Sequence, residues 1–169
     1  MRFTKTDDPI KGIGFVTIYF ANLEDELDDL VKLSGHLFKL PPKIGRWTFR
    51  DKAEWLQKQF CAAYADYSYE WSDQESAHVD LVLVACRRAA LKRNEILHRP
   101  IFGDMKGGAL QKTVSGNMRR LDVTEIYRFA EYIHKLGGEV YGLSFSLGRL
   151  QVARSNNNPT TQLAELPPP

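Results

Sequence analysis

The sequence predicts an all-α fold: an up-down bundle of four helices, with a Gly-rich loop or small hairpin before the last one. Three observations carry that prediction. Four stretches place apolar residues at three- and four-residue steps, the period of one buried helix face. Capping residues and prolines punctuate those stretches. Only residues 101–121 break the rhythm, with four glycines and no helical stripe.

Residues 1–11 read as a polar lead-in. From Gly12 to about Leu33, Ile13, Val16, Phe20, Leu23, Leu27 and Leu30 follow the seam spacing of a helix bundle. Glu24, Asp25, Asp28 and Asp29 form the opposite, solvated face. Pro41, Pro42 and Gly45 mark the run 34–47 as a loop. A second helix starts after Thr48, with Asp51 as its capping-box partner and Phe49, Ala53, Leu56, Phe60 and Ala63 as its stripe. Tyr64, Tyr67, Tyr69 and Trp71 surround the next connection, as packing at the bundle end or as a stacking surface.

The third helix spans Glu75 to Pro100, with Ser72 and Glu75 as a capping box and Pro100 as its stop. Gly107-Gly108 and Ser115-Gly116-Asn117 are turns. Asp122 with Glu125 opens the last helix, in which Ile126, Ala130, Ile133, Gly137, Val140, Ser144 and Leu147 keep the phase. That phase runs through Gly137-Gly138, which predicts one continuous helix with a close backbone contact there. The residues from 154 onward form a polar, proline-ended tail, expected to be disordered. A single domain over residues 12–153 follows.

Composition excludes several classes. With 169 residues, 43% hydrophobic and 26% charged, the chain suits one soluble globular domain. A net charge of +2 does not by itself argue for nucleic acid. No apolar run approaches the roughly 20 residues of a membrane span, and the N-terminal residues lack a signal peptide's apolar core. Cys61 and Cys86 sit on apolar helix faces and read as reduced core thiols of a cytoplasmic protein. There is no CxxC and no metal-ligand cluster, and His78 and Asp80 diverge on their helix, so neither metal nor cofactor is expected.

The oddity is Arg93. It falls on the inward stripe of the third helix, four residues after Ala89 and four before Leu97. A charge there is costly unless paired or used. Arg93-Asn94-Glu95-Ile96-Leu97-His98 resembles the R-x(4–6)-H motif of HEPN-domain proteins, with the polar residue that often follows the arginine. The layout over roughly residues 12–153 is also similar, including the segment Trp47-Thr48-Phe49-Arg50-Asp51-Lys52. A second match, Arg128 to His134, lies in mid-helix with Phe129 after the arginine, and fits less well.

The resemblance implies metal-independent RNA cleavage, in a toxin or a phage-defence effector, with Arg93, Asn94 and His98 as the catalytic set. His98 would take the proton of a ribose 2′-hydroxyl, because imidazole exchanges protons near neutral pH. Arg93 would stabilise charge on the phosphorane, and Asn94 would orient a base or bind a phosphate oxygen. Two protomers would bring their motifs together, so a homodimer is expected, with RNA as substrate, an antitoxin protein as a further partner and no membrane. Arg87, Arg88, Lys92 and Arg99 flank the motif as RNA-binding candidates, and Lys106, Lys112, Arg119 and Arg120 add charge nearby. The competing expectation is structural. Arg93 would pair with Asp28 or Asp29, His98 would interact with the helix dipole, and Asn94 would bridge helices. The chain would then be a non-catalytic helical dimer, a protein-interaction or nucleotide-sensing module. His36 reads as a surface or packing residue.

Overall fold

A computed structural model describes residues 8–66, 72–98, 101–103, 109–113, 115–120 and 122–156. The described elements are α1 (Pro9–Ser34), a single 3-10 turn (Ile44–Arg46), α2 (Phe49–Asp66), α3 (Ser72–Leu97), β1 (Ile101–Gly103), β2 (Ala109–Lys112), β3 (Met118–Arg120) and α4 (Val123–Asn156). The architecture is an all-α bundle of four helices carrying one small sheet. Tyr67, Tyr69, Trp71, Arg99, Pro100, Lys106 and the tail beyond Asn156 lie outside the described residues.

α1 begins three residues before the expected start. Asp8 caps it, its carboxylate accepting from the Ile10 N–H at 2.8 Å, and Pro9 occupies the first turn, where its missing N–H costs nothing. Val16, Phe20, Leu23, Leu27 and Leu30 are buried, as their spacing requires. α2 opens with the expected pair but half of the box: the Asp51 N–H donates to Thr48 Oγ1 at 3.2 Å, while Asp51 Oδ2 accepts from that hydroxyl at 2.7 Å rather than from the Thr48 N–H. α3 includes Ser72, and its Glu75 is not the partner of a Ser72 cap. The Glu75 carboxylate instead accepts from Tyr64 Oη at 3.2 Å and lies 2.6 Å from Arg149 Nε, because it points into the bundle.

α4 is continuous through Gly137-Gly138. The expected backbone contact there is absent, since a Cβ on either glycine would meet nothing within 4 Å. The buried seam passes instead through Ile133, Leu136, Val140, Leu143, Leu147 and Leu150, and leaves Gly137 and Ser144 at its edge. The close approach occurs at Gly12, where a Cβ would sit 3.1 Å from Ile126 and Tyr127. Cys86 is buried, which pushes its thiol up to about 12. Cys61 is exposed, contrary to expectation, because it sits next to Phe60 and turns off the apolar stripe.

Contacts give the helix directions. Tyr127 Oη donates to the Asp8 carbonyl, Tyr19 packs on His134 at 4.9 Å, and Arg154 donates to the Leu37 carbonyl at 3.0 Å. α1 and α4 therefore run side by side in the same direction. Phe20 meets Phe49, Asp28 meets Lys52 and Phe38 meets Phe60, so α2 shares that direction. α3 alone runs against the others, with Tyr64 at Glu75 on one side and Lys92 at Glu125 on the other. The expected alternation holds for α2–α3 and for α3–α4. Between α1 and α2 the long loop carries the chain back to the level of Phe20 before α2 starts, so the two do not form a hairpin.

Residues 101–121 form more than a hairpin. β1, β2 and β3 make an antiparallel meander in that order, pairing Phe102 with Leu110 and Leu110 with Arg120. Gly116 (φ 85°) takes the left-handed position in the β2–β3 turn. The Gln111 side chain donates to the carbonyls of Glu95 and Ile96 at 3.1 and 3.2 Å, fastening the sheet to the last turn of α3.

Candidate functional site

The site is built from the C-terminal turns of α3. Arg93 is half-buried, and its guanidinium carbon lies 5.1 Å from the centre of the Phe20 ring on α1. That is cation–π geometry. Its Nη1 donates to the Asn94 side-chain oxygen at 3.2 Å, and its Nε is buried without a hydrogen-bond partner among the described residues. An unpaired buried donor costs about 1–3 kcal/mol. Neither expected carboxylate pairs with it: Asp28 holds Lys52 and Asp29 holds Lys32, each at 2.6 Å.

Glu24, one helical turn beyond Phe20, supplies the nearby negative field. Burial pushes its carboxyl above the ordinary carboxylate range; Arg93 pulls against that shift, and Asp28 and Asp25 add to it. Sequence reasoning assigned Glu24 to the solvated face and missed both it and Phe20 as neighbours of Arg93. The detectable signal was the 3-4 spacing from Phe20 through Leu23 to Leu27, which puts Glu24 beside the seam rather than opposite it.

Asn94 is exposed, and its carbonyl accepts the His98 N–H at 3.1 Å. The helical ladder thus continues to His98, and the exposed imidazole projects from the same face as Asn94, one turn later. The carbonyls of Glu95 and Ile96, which a dipole-bound histidine would face, are taken by Gln111.

The basic candidates divide. Arg87, Leu91, Asn94 and His98 recur at four-three-four spacing, so half-buried Arg87 shares the face of the motif. Exposed Arg88 and half-buried Lys92 turn the other way, toward α4. Lys92 is ion-paired with Glu125 and lies 3.9 Å from Glu95, and Arg119 lies 3.6 Å from the same Glu125. This network lines a small cleft between the sheet and α4, where acids answer the bases; Lys92 is not a free cation beside the motif. Arg99 lies outside the described residues.

The second match does not assemble a comparable site. Arg128 is exposed on α4, and the His134 ring packs on Tyr19 at 4.9 Å. His78 and Asp80 diverge as expected, toward Glu139 at 3.6 Å and toward Gln57. His36 is exposed.

A half-buried guanidinium, a carboxamide in contact with it and an exposed imidazole one turn on can together bind an oxyanion and move a proton. No helix among the described residues is long and apolar enough to cross a membrane. No protein-family model, curated protein or solved structure matches the chain.

Proposed function

We propose that the chain is a metal-independent endoribonuclease of HEPN type, in which Arg93, Asn94 and His98 act on a single phosphodiester. The observation that carries this reading is Arg93, whose buried Nε lacks a partner among the described residues while its Nη1 touches Asn94. Arg93 rests on the Phe20 ring with Glu24 in its field but makes no ion pair among the described residues, which leaves guanidinium donors for a ligand.

His98 removes the proton from a ribose 2′-hydroxyl, and that oxygen attacks the adjacent phosphorus. The bond from phosphorus to the 5′-oxygen breaks. The leaving oxygen takes a proton from the imidazolium contributed by a second copy, giving a 2′,3′-cyclic phosphate and a 5′-hydroxyl. Arg93 holds the phosphorane oxygens with its remaining donors. A homodimer is part of the reading, since one copy offers only one imidazole here. A toxin or defence role, with an antitoxin as partner, follows by family analogy.

The test uses purified protein and RNA in EDTA. Wild type cleaves, and His98→Ala lowers the rate about 10²- to 10⁴-fold while its thermal melt is unchanged. Undiminished cleavage by His98→Ala removes this histidine from the mechanism. A dimeric wild type that leaves RNA intact selects the second reading, an interaction module. One observation favours that reading: Tyr141, Phe145 and Val152 are 59%, 63% and 61% exposed along one outward stripe of α4.

A further inference from the structure

The small sheet has an inverted face pattern. An antiparallel sheet packed on one side normally turns apolar residues inward and polar ones outward. Here the row Ile101, Gln111 and Arg119 faces the helices, as the bonds from Gln111 to α3 and the approach of Arg119 to Glu125 require. Strand alternation then puts Phe102, Leu110, Lys112, Met118 and Arg120 together on the outward face. Phe102 and Met118 are each 47% exposed, Leu110 is half-buried, and Lys112 and Arg120 are exposed beside them, Arg120 at the rim of the cleft that Asp122 and Glu125 line. No described strand residue is acidic.

We infer that this outward face is a platform for single-stranded RNA, with a base stacked on Phe102 and phosphates held by Lys112 and Arg120. Charge decides the occupant. A ring and two cations, with no acid among the described strand residues, are complementary to a polyanion whose own apolar surfaces are accessible, and unpaired nucleotides combine those properties. A duplex would hide its bases from Phe102. An acidic protein would answer the two cations but would not need an exposed aromatic ring between them.

The platform adjoins the motif. Phe102 follows His98 by four residues, so their Cα atoms are at most about 14 Å apart. Gln111 additionally fixes the sheet against the last turn of α3. RNA lying on Phe102 therefore has a neighbouring phosphodiester close to His98. That consequence rests on the ribonuclease reading, whereas binding to the sheet does not require cleavage.

The experiment measures fluorescence anisotropy of labelled oligouridine, alone and as a duplex with oligoadenosine. It uses the full chain in EDTA across a salt series, as wild type and with His98→Ala to keep the RNA intact. Phe102→Ala weakens single-strand binding about tenfold, and Phe102→Tyr restores it. Lys112→Ala with Arg120→Ala reduces the slope of log K against log salt by about 1.4. Helical circular dichroism confirms that each variant is folded. Wild-type-like binding by both sets of variants overturns the proposal, as does equal dependence of duplex binding on Phe102, absence of RNA binding by wild type, or Phe102-dependent capture of an acidic protein in place of RNA. If the sheet variants bind as wild type while His98→Ala still abolishes cleavage, the platform fails and the ribonuclease stands. If binding depends on Phe102 but RNA is never cut, the ribonuclease fails and the platform stands.

Discussion

The two ends of α3 treat charge in opposite ways. Near its start, Glu75 is buried, accepts from the Tyr64 hydroxyl and meets the Arg149 guanidinium through Oε1 as an ion pair without a hydrogen bond. Near its end, Arg93 is half-buried, rests on a ring, touches a neutral amide and keeps its Nε without a partner among the described residues. The helix hydrogen-bond ladder is the same in both places. The difference lies in the counter-charge: the Arg149 guanidinium stands 2.6 Å from Glu75, whereas Arg93 meets a ring and a neutral amide, with Glu24 only in its field.

The sharpest way to break this contrast is Glu75→Ala, which removes the carboxylate shared by two partners at a position only 10% exposed. Because Arg149 is 56% exposed and stays solvated, the cost is about 2 kcal/mol, the scale of a lost charged hydrogen-bond partner, read as a fall of about 4–8 °C in the thermal midpoint. Arg93→Ala costs about 1 kcal/mol, the scale of its ring contact, and lowers the midpoint by only about 2–4 °C. A fall as large as that of Glu75→Ala would make Arg93 a structural charge and erase the distinction. Glu24→Gln gives the smallest change. The folded state raises the Glu24 pKa, so it favours the protonated acid. That stabilisation is present below the ordinary value of 4.5 and is lost as pH rises through the raised value. The glutamine variant therefore melts above wild type at neutral pH, and the gap closes as the pH is lowered beneath 4.5. A constant gap across that range would show that the carboxyl charge is not the cause.

Much of the bundle was legible because helices announce their buried faces by period. The residues Val16, Phe20, Leu23, Leu27 and Leu30, and the Thr48–Asp51 pair, stand where spacing and capping rules put them. What escaped depends on partners distant in the chain. Nothing local distinguishes Glu75 as a capping residue from Glu75 as the mate of Arg149, or pairs Asp28 with Lys52 before Arg93 can reach it. The direction of α2 was hidden for the same reason, since a loop of that length can close a hairpin or return the chain. The sheet was only half legible: its turns had glycine signatures, but the strands are three or four residues long, too short for alternation to declare a register. At the candidate site, the motif and its place at the end of α3 could be read, but the seat provided by Phe20 and the anchoring role of Gln111 could not.

The side-by-side run of α1 and α4 has a consequence for synthesis. The first helix finds its most extensive helical neighbour in the last one, across the 88 residues between Ser34 and Val123. During translation Phe15 and Tyr19, whose rings meet Tyr127 and His134, therefore lack that covering until α4 has been made, and such late, distant closure is slow. The Phe20 ring that seats Arg93 lies on the same helix, so the helix carrying that seat is fully packed only once α4 joins it.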